Sequence, residues 1–71
     1  MSVKFKNLRG EMAKAGYTQK SLADAIGKTE STVGYKLRGD VAWTLKEMEL
    51  IQQAINERAG QNYTLDFLFE E

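Results

Sequence analysis

Between residues 18 and 38 the chain gathers side chains suited to binding rather than to transforming a substrate. Gln19, Thr29, Glu30, Ser31 and Tyr35 offer an amide, hydroxyls, a carboxylate and a phenol, and Lys28, Lys36 and Arg38 add positive charge among them. Hydroxyls and amides both donate and accept hydrogen bonds, a carboxylate accepts, and the cations can neutralise phosphate. Catalysis has no comparable set. The 71 residues include no histidine and no cysteine, which removes the commonest general base, the thiol nucleophile and the usual zinc ligands. The acid–base candidates left are carboxylates and lysines, none of them a spaced pair in an apolar pocket. The expectation is a protein that is not an enzyme and that uses no metal, cofactor or small-molecule ligand.

The formal net charge of zero argues at first against a nucleic-acid partner, but the charges are segregated. Residues 1–38 carry eight bases against three acids, a net +5, and residues 39–71 carry two bases against seven acids, a net −5. A positive half can meet phosphate while a negative half faces away. Solvated charges segregated by chance would look the same.

Elements must position these groups, and a chain of 71 residues has room for one domain, 1–71. Phe5, Leu8, Met12 and Ala15 recur at helical steps and predict a first helix over about residues 4 to 15, stopped at Gly16. Thr18 caps a second helix whose buried face is Leu22, Ala23, Ala25 and Ile26, ending at Gly27. Thr29 caps a third, running to about Arg38 with Val33 and Leu37 inward. Thr44 and Glu47 have the spacing of a capping box, opening a fourth helix with Leu45, Met48, Ile51 and Ile55 on its core stripe. It ends near Ala59. Thr64 opens a last short segment, helix or strand, through Phe69. The fold class is all-α, a compact four- to five-helix bundle. No apolar run approaches the ~20 residues of a membrane span, and the first six residues lack a signal-peptide core, so the expected setting is cytoplasmic and away from membranes.

The second and third helices meet at a tight turn holding a glycine, the arrangement of a helix-turn-helix. Ala23 lies where the two helices approach closely, Gly27 where the backbone turns with positive φ, and Val33 where the second helix of the pair is tied to the first. The pattern Thr18-Gln19-x-x-Leu22-Ala23, Ile26-Gly27, Ser31-Thr32-Val33 and Gly39, continued by Thr44-Leu45-x-Glu47-Met48 and closed by Thr64-Leu65-Asp66-Phe67-Leu68-Phe69, resembles the lambda-repressor-like (Cro/C1, or XRE) helix-turn-helix family. With Lys36-Leu37-Arg38-Gly39 and Trp43 it is similar to small Cro-like regulators of phages and prophages of Gram-positive bacteria. The chain departs from that pattern twice: Lys28 occupies a usually apolar place in the turn, and Lys36 stands where an apolar residue often anchors the third helix, a part that falls to Leu37.

The resemblance implies a DNA-binding transcriptional repressor whose third helix lies in the major groove of an operator half-site. Thr29, Glu30, Ser31 and Tyr35 would then meet base edges: the hydroxyls at several bases, Glu30 at a cytosine amino group, Tyr35 at a thymine methyl or a phosphate. Gln19 would bind phosphate at the start of the second helix, and Lys28, Lys36 and Arg38, with Lys4 and Lys6 from the flank, would neutralise further phosphates. Each has a plainer alternative: Glu30 favouring the helix dipole, Ser31 filling a first turn, Tyr35 packing beside Trp43, and Trp43 itself plugging the core. One such helix reaches few base pairs, so a homodimer on a double-stranded operator is expected, with the outer face of the fourth helix and the aromatic tail (Tyr63, Phe67, Phe69) as candidate contacts. The tail serves equally as a cover for the monomer core. The rival is an antirepressor of the same fold that binds a partner repressor protein; zero net charge and the acid at Glu30 favour it, the +5 first half does not.

Overall fold

Four threonines start four of the five helices in the computed structural model, which describes residues 4–71. Thr18, Thr29, Thr44 and Thr64 all take extended backbone, and each hydroxyl accepts the N–H three residues on, from Ser21, Thr32, Glu47 and Phe67. Each such cap satisfies one of the N–H groups a helix start leaves orphaned and stabilises by about 1 kcal/mol. Thr18 with Ser21, and Thr44 with Glu47, close reciprocal capping boxes. The helices are α1 (Lys6–Lys14), α2 (Gln19–Ile26), α3 (Glu30–Leu37), α4 (Leu45–Ala59) and α5 (Leu65–Leu68). The described residues form no strand, so the segment after Thr64 is helix. No helix among them is long and apolar enough to cross a membrane.

α1 opens without a side-chain cap, from Phe5 in the left-handed region at φ 56°. That conformation is costly for a residue with a Cβ. It is held by burial of the Phe5 ring, which meets Trp43 and Phe69 edge-on at centroid distances of 6.4 and 6.3 Å. Trp43 and Phe69 also pack edge-on with each other, at 5.6 Å. This triad joins the start of α1, the α3–α4 connection and the end of α5, so Trp43 is half-buried against the core as a plug.

One core runs through all five helices, with Leu8 and Met12 from α1, Leu22, Ala23 and Ile26 from α2, Val33 and Leu37 from α3, Ile51 and Ile55 from α4, and Leu68 from α5. α2 packs on α3 and α4, while α1 packs on α4 and α5. Asn56 fastens the last connection by accepting the Tyr63 N–H at 2.9 Å and donating to the Tyr63 carbonyl at 3.1 Å. Asn7 donates to the Phe67 carbonyl at 2.8 Å, tying α5 to α1.

The core stripe of α4 differs from the expected one. Leu45 is 60% exposed and Met48 half-buried, whereas Glu47 is buried. The inward row is Glu47, Ile51 and Ile55, four residues apart, and Leu45 lies roughly 200° around the axis from Glu47. Hydrophobicity alone places Leu45 inside; an ion pair that draws Glu47 inward rotates it out. Ala25, expected on the α2 core face, is likewise exposed. Truncating Ile51 to Ala should therefore cost about 3 kcal/mol in urea unfolding, and Leu45 to Ala no more than about 0.5 kcal/mol per monomer.

Candidate functional site

α2 and α3 are set against each other by a turn of three residues. Gly27 ends α2 at φ 72°, a left-handed conformation that an L side chain rarely adopts. The Lys28 N–H then returns to the Ala23 carbonyl at 2.9 Å, and Thr29 starts α3. Ala23 and Val33, both buried, fill the close approach between the helices.

α3 is held along its length. Near its start the Gln19 side-chain amide donates to the Glu30 carbonyl at 3.0 Å. At its end the Arg9 guanidinium donates to the Leu37 carbonyl at 3.1 Å and, through Nε, to the Lys4 carbonyl at 3.0 Å. A cation on the last carbonyls of a helix also complements the helix dipole. Between them lies Gly34, where a Cβ would stand 2.7 Å from the Gln19 amide nitrogen. A side chain at 34 would displace Gln19 from α3; glycine leaves it room.

The third tether is the buried pair Lys36–Glu47. The Lys36 ammonium donates to Glu47 Oε1, which also accepts the Thr44 N–H at 2.9 Å. The ammonium lies 5.9 Å from the centre of the Trp43 ring. Burial by itself would raise the Glu47 carboxyl, but hydrogen bonds from Lys36 and Thr44 and the Lys36 charge outweigh it, holding the group below its ordinary value of 4.5.

The residues expected to make contacts fall into four groups, the fourth being Lys36. Glu30, Ser31, Tyr35 and Arg38 are exposed, and with Gln19 and Gly34 they line one shallow cleft of about 240 Å³ on the α2–α3 face. Arg38 lies over the Tyr35 ring at 4.9 Å and meets Asp40 at 3.3 Å. Tyr35 thus stacks with Arg38 and does not pack beside Trp43. Lys28 and Lys6 are exposed, and Lys4 pairs with Glu71 at 3.0 Å while its stem covers Gly39. Thr29 is exposed, but its hydroxyl is spent on the cap, accepting from the Thr32 N–H at 3.2 Å and bonding the Thr32 hydroxyl at 2.9 Å.

Lys36 requires correction. With its side chain only 9% exposed and its charge paired with Glu47, it is withdrawn from any phosphate and holds α3 on α4. Leu37, also buried, anchors the helix beside it. Two residues absent from the expected set belong to the arrangement, Arg9 and Gly34. Arg9 left no signal in sequence because its partner is a backbone carbonyl 28 residues away. Gly34 could have been noticed as a glycine inside a helix, which is costly unless something must approach closely.

Among known proteins, no family model, no curated protein and no solved structure matches this chain.

Lys36 to Ala would leave Glu47 buried and unpaired, and should destabilise the fold by about 3 kcal/mol in denaturant titration. Lys36 to Met combined with Glu47 to Gln, which keeps an acceptor for the Thr44 N–H, should recover most of that loss. The pH dependence has a definite sign. Because the Glu47 value is lowered on folding, its ionised form stabilises fully at neutral pH, and that contribution is lost as pH falls through the folded value. The stability advantage of the wild type over Glu47 to Gln should accordingly be flat near neutrality and shrink below pH 4.5.

Proposed function

We propose that this protein is a sequence-specific DNA-binding transcriptional repressor of the Cro-like helix-turn-helix kind, with α2 and α3 as the motif and α3 reading operator half-sites through the major groove. One observation carries the proposal. Glu30, Ser31 and Tyr35 stand exposed on a single face of a helix that three tethers hold in place, with Gln19 and Arg38 alongside. A recognition surface needs this combination of free hydrogen-bonding groups and a rigid support, because each misplaced contact loses specificity.

In this reading the roles are those that the resemblance implies. Ser31 and Tyr35 lie four apart on α3 and reach successive base pairs, and Glu30 accepts from a cytosine amino group. The hydrogen bond to Glu30 uses one donor of the Gln19 amide, so a second donor remains for phosphate. Arg38, Lys28 and Lys6 supply the phosphate-neutralising charge.

A second reading has its own support. Lys36 is withdrawn from the surface, Arg38 is shared with Asp40, and Lys4 with Glu71. The face is less positive than its composition suggests, which favours an antirepressor that binds another repressor protein.

Selection from a pool of randomised duplexes, repeated over a salt series, separates the two. The repressor reading expects an enriched palindrome and log affinity falling linearly with log salt. Ser31 to Ala or Tyr35 to Ala should then relax preference at single positions by about 1–3 kcal/mol, while Arg38 to Ala or Lys28 to Ala should weaken all duplexes alike and flatten the salt slope. Absence of any enriched sequence, with weak binding even at low salt, would reject the repressor and leave the antirepressor.

A further inference from the structure

We infer that Gly34 is a positioning residue of the α2–α3 face. By carrying no side chain it lets Gln19 and Arg38 grip one and the same phosphate of a bound duplex, a role that rests on the repressor proposal above. Glycine inside a helix costs stability relative to alanine, and the fold itself does not ask for one here. The Gly34 backbone is helical, not left-handed. The nearest atoms that a Cβ at this position would meet are Gln19 Nε2 at 2.7 Å, Arg38 Nη1 at 3.5 Å and Gln19 Cδ at 3.5 Å. None of them belongs to the core. The space kept open by glycine is filled by two polar side chains, one from each helix of the pair.

Both side chains are fixed, and both keep donors to spare. The Gln19 amide gives one N–H to the Glu30 carbonyl at 3.0 Å, and the same nitrogen carries a second. Arg38 Nε donates to Asp40 at 3.3 Å while the guanidinium lies over the Tyr35 ring at 4.9 Å. That leaves the four N–H groups of its two Nη atoms. Distances of 2.7 and 3.5 Å to a single point keep Gln19 Nε2 and Arg38 Nη1 no farther apart than the sum of the two. A phosphate bridges such a gap, because it offers two free oxygens and each accepts an N–H at roughly 2.9 Å. Arg38 then supplies the charge and Gln19 the orientation.

The same cleft is lined by Glu30, and Asp40 offsets part of the Arg38 charge. Those carboxylates disfavour a free phosphate ion. The occupant is a backbone phosphate delivered by a duplex that α3 already holds. Binding and stability therefore pull in opposite directions at position 34: alanine suits the helix better, but its Cβ would push the Gln19 amide away.

A duplex selected from the randomised pool, remade with one neutral methylphosphonate at a time along each strand, tests the inference. On the unmodified duplex, Gln19→Ala, Arg38→Ala and Gly34→Ala should each weaken binding by about tenfold. Neutralising one phosphate per half-site should weaken the wild type, and on that duplex alone Gln19→Ala and Arg38→Ala should bind nearly as the wild type does. Gly34→Ala should unfold no more easily than the wild type, and it should add nothing in a Gln19→Ala background. Gln19 and Arg38 mapping to different phosphates, or either mapping to none, overturns the shared grip. Gly34→Ala binding as tightly as the wild type, or weakening Gln19→Ala further, overturns the positioning role. Should Gly34→Ala fail to fold, the position is structural and the positioning role is likewise overturned. The two proposals fail distinguishably: with no enriched duplex the repressor falls and takes the shared phosphate with it, whereas an enriched duplex with separate phosphates removes the shared grip and keeps the repressor.

Discussion

The buried pair between Lys36 and Glu47 organises more of this molecule than any other single contact. It places a charge from α3 and a charge from the first turn of α4 where an apolar anchor would serve for simple cohesion. Two charges taken out of water repay the cost only if geometry is good and the remaining lone pairs are used. Here Glu47 Oε1 accepts the Thr44 N–H as well as the ammonium, and the Trp43 ring lies beside the ammonium. The same carboxylate therefore caps α4, orients α3 and keeps the α3–α4 connection against the core.

Consequences spread from that point. With Glu47 inward, the α4 core row becomes Glu47, Ile51 and Ile55, and Leu45 is turned outward to stand with Val41 at the edge of a groove. With Lys36 inward, the outer face of α3 is left to Glu30, Ser31, Tyr35 and Arg38. Arg9 and Gln19 then fasten the two ends of α3 by donating to its own carbonyls. A directional hydrogen bond to a fixed carbonyl constrains orientation in a way that apolar packing does not, so α3 is held in pitch as well as in position. A surface that reads a partner by hydrogen bonds gains from that rigidity, since the entropy of ordering is spent in folding rather than in binding.

The helical architecture was legible in the residues because its signals are local. Thr18, Thr29, Thr44 and Thr64 each cap a helix through a bond to a residue three positions on, and Gly27 ends a helix by its own backbone freedom. Such signals survive without knowledge of distant partners. The errors have a common origin. Leu45 was placed in the core by hydrophobicity and helical period, and Lys36 on the surface by its charge; each outcome turned on a neighbour from another element. Thr29 belongs with them in a milder way, since the cap that made it recognisable also occupies its hydroxyl.

Sequence alone thus determined where the helices start, which small and apolar residues join α2 to α3, and which polar groups could face outward from α3. Caps, turn glycines and apolar periods act over three or four residues, within reach of a linear reading. Only the tertiary structure decided which charges are free. Lys36 finds Glu47 eleven residues away, Lys4 finds Glu71 at the other end of the chain, and Arg9 finds a carbonyl on α3. Folding brings these groups within bonding distance, and electrostatic pairing is set by distance and burial, neither of which a list of residues contains.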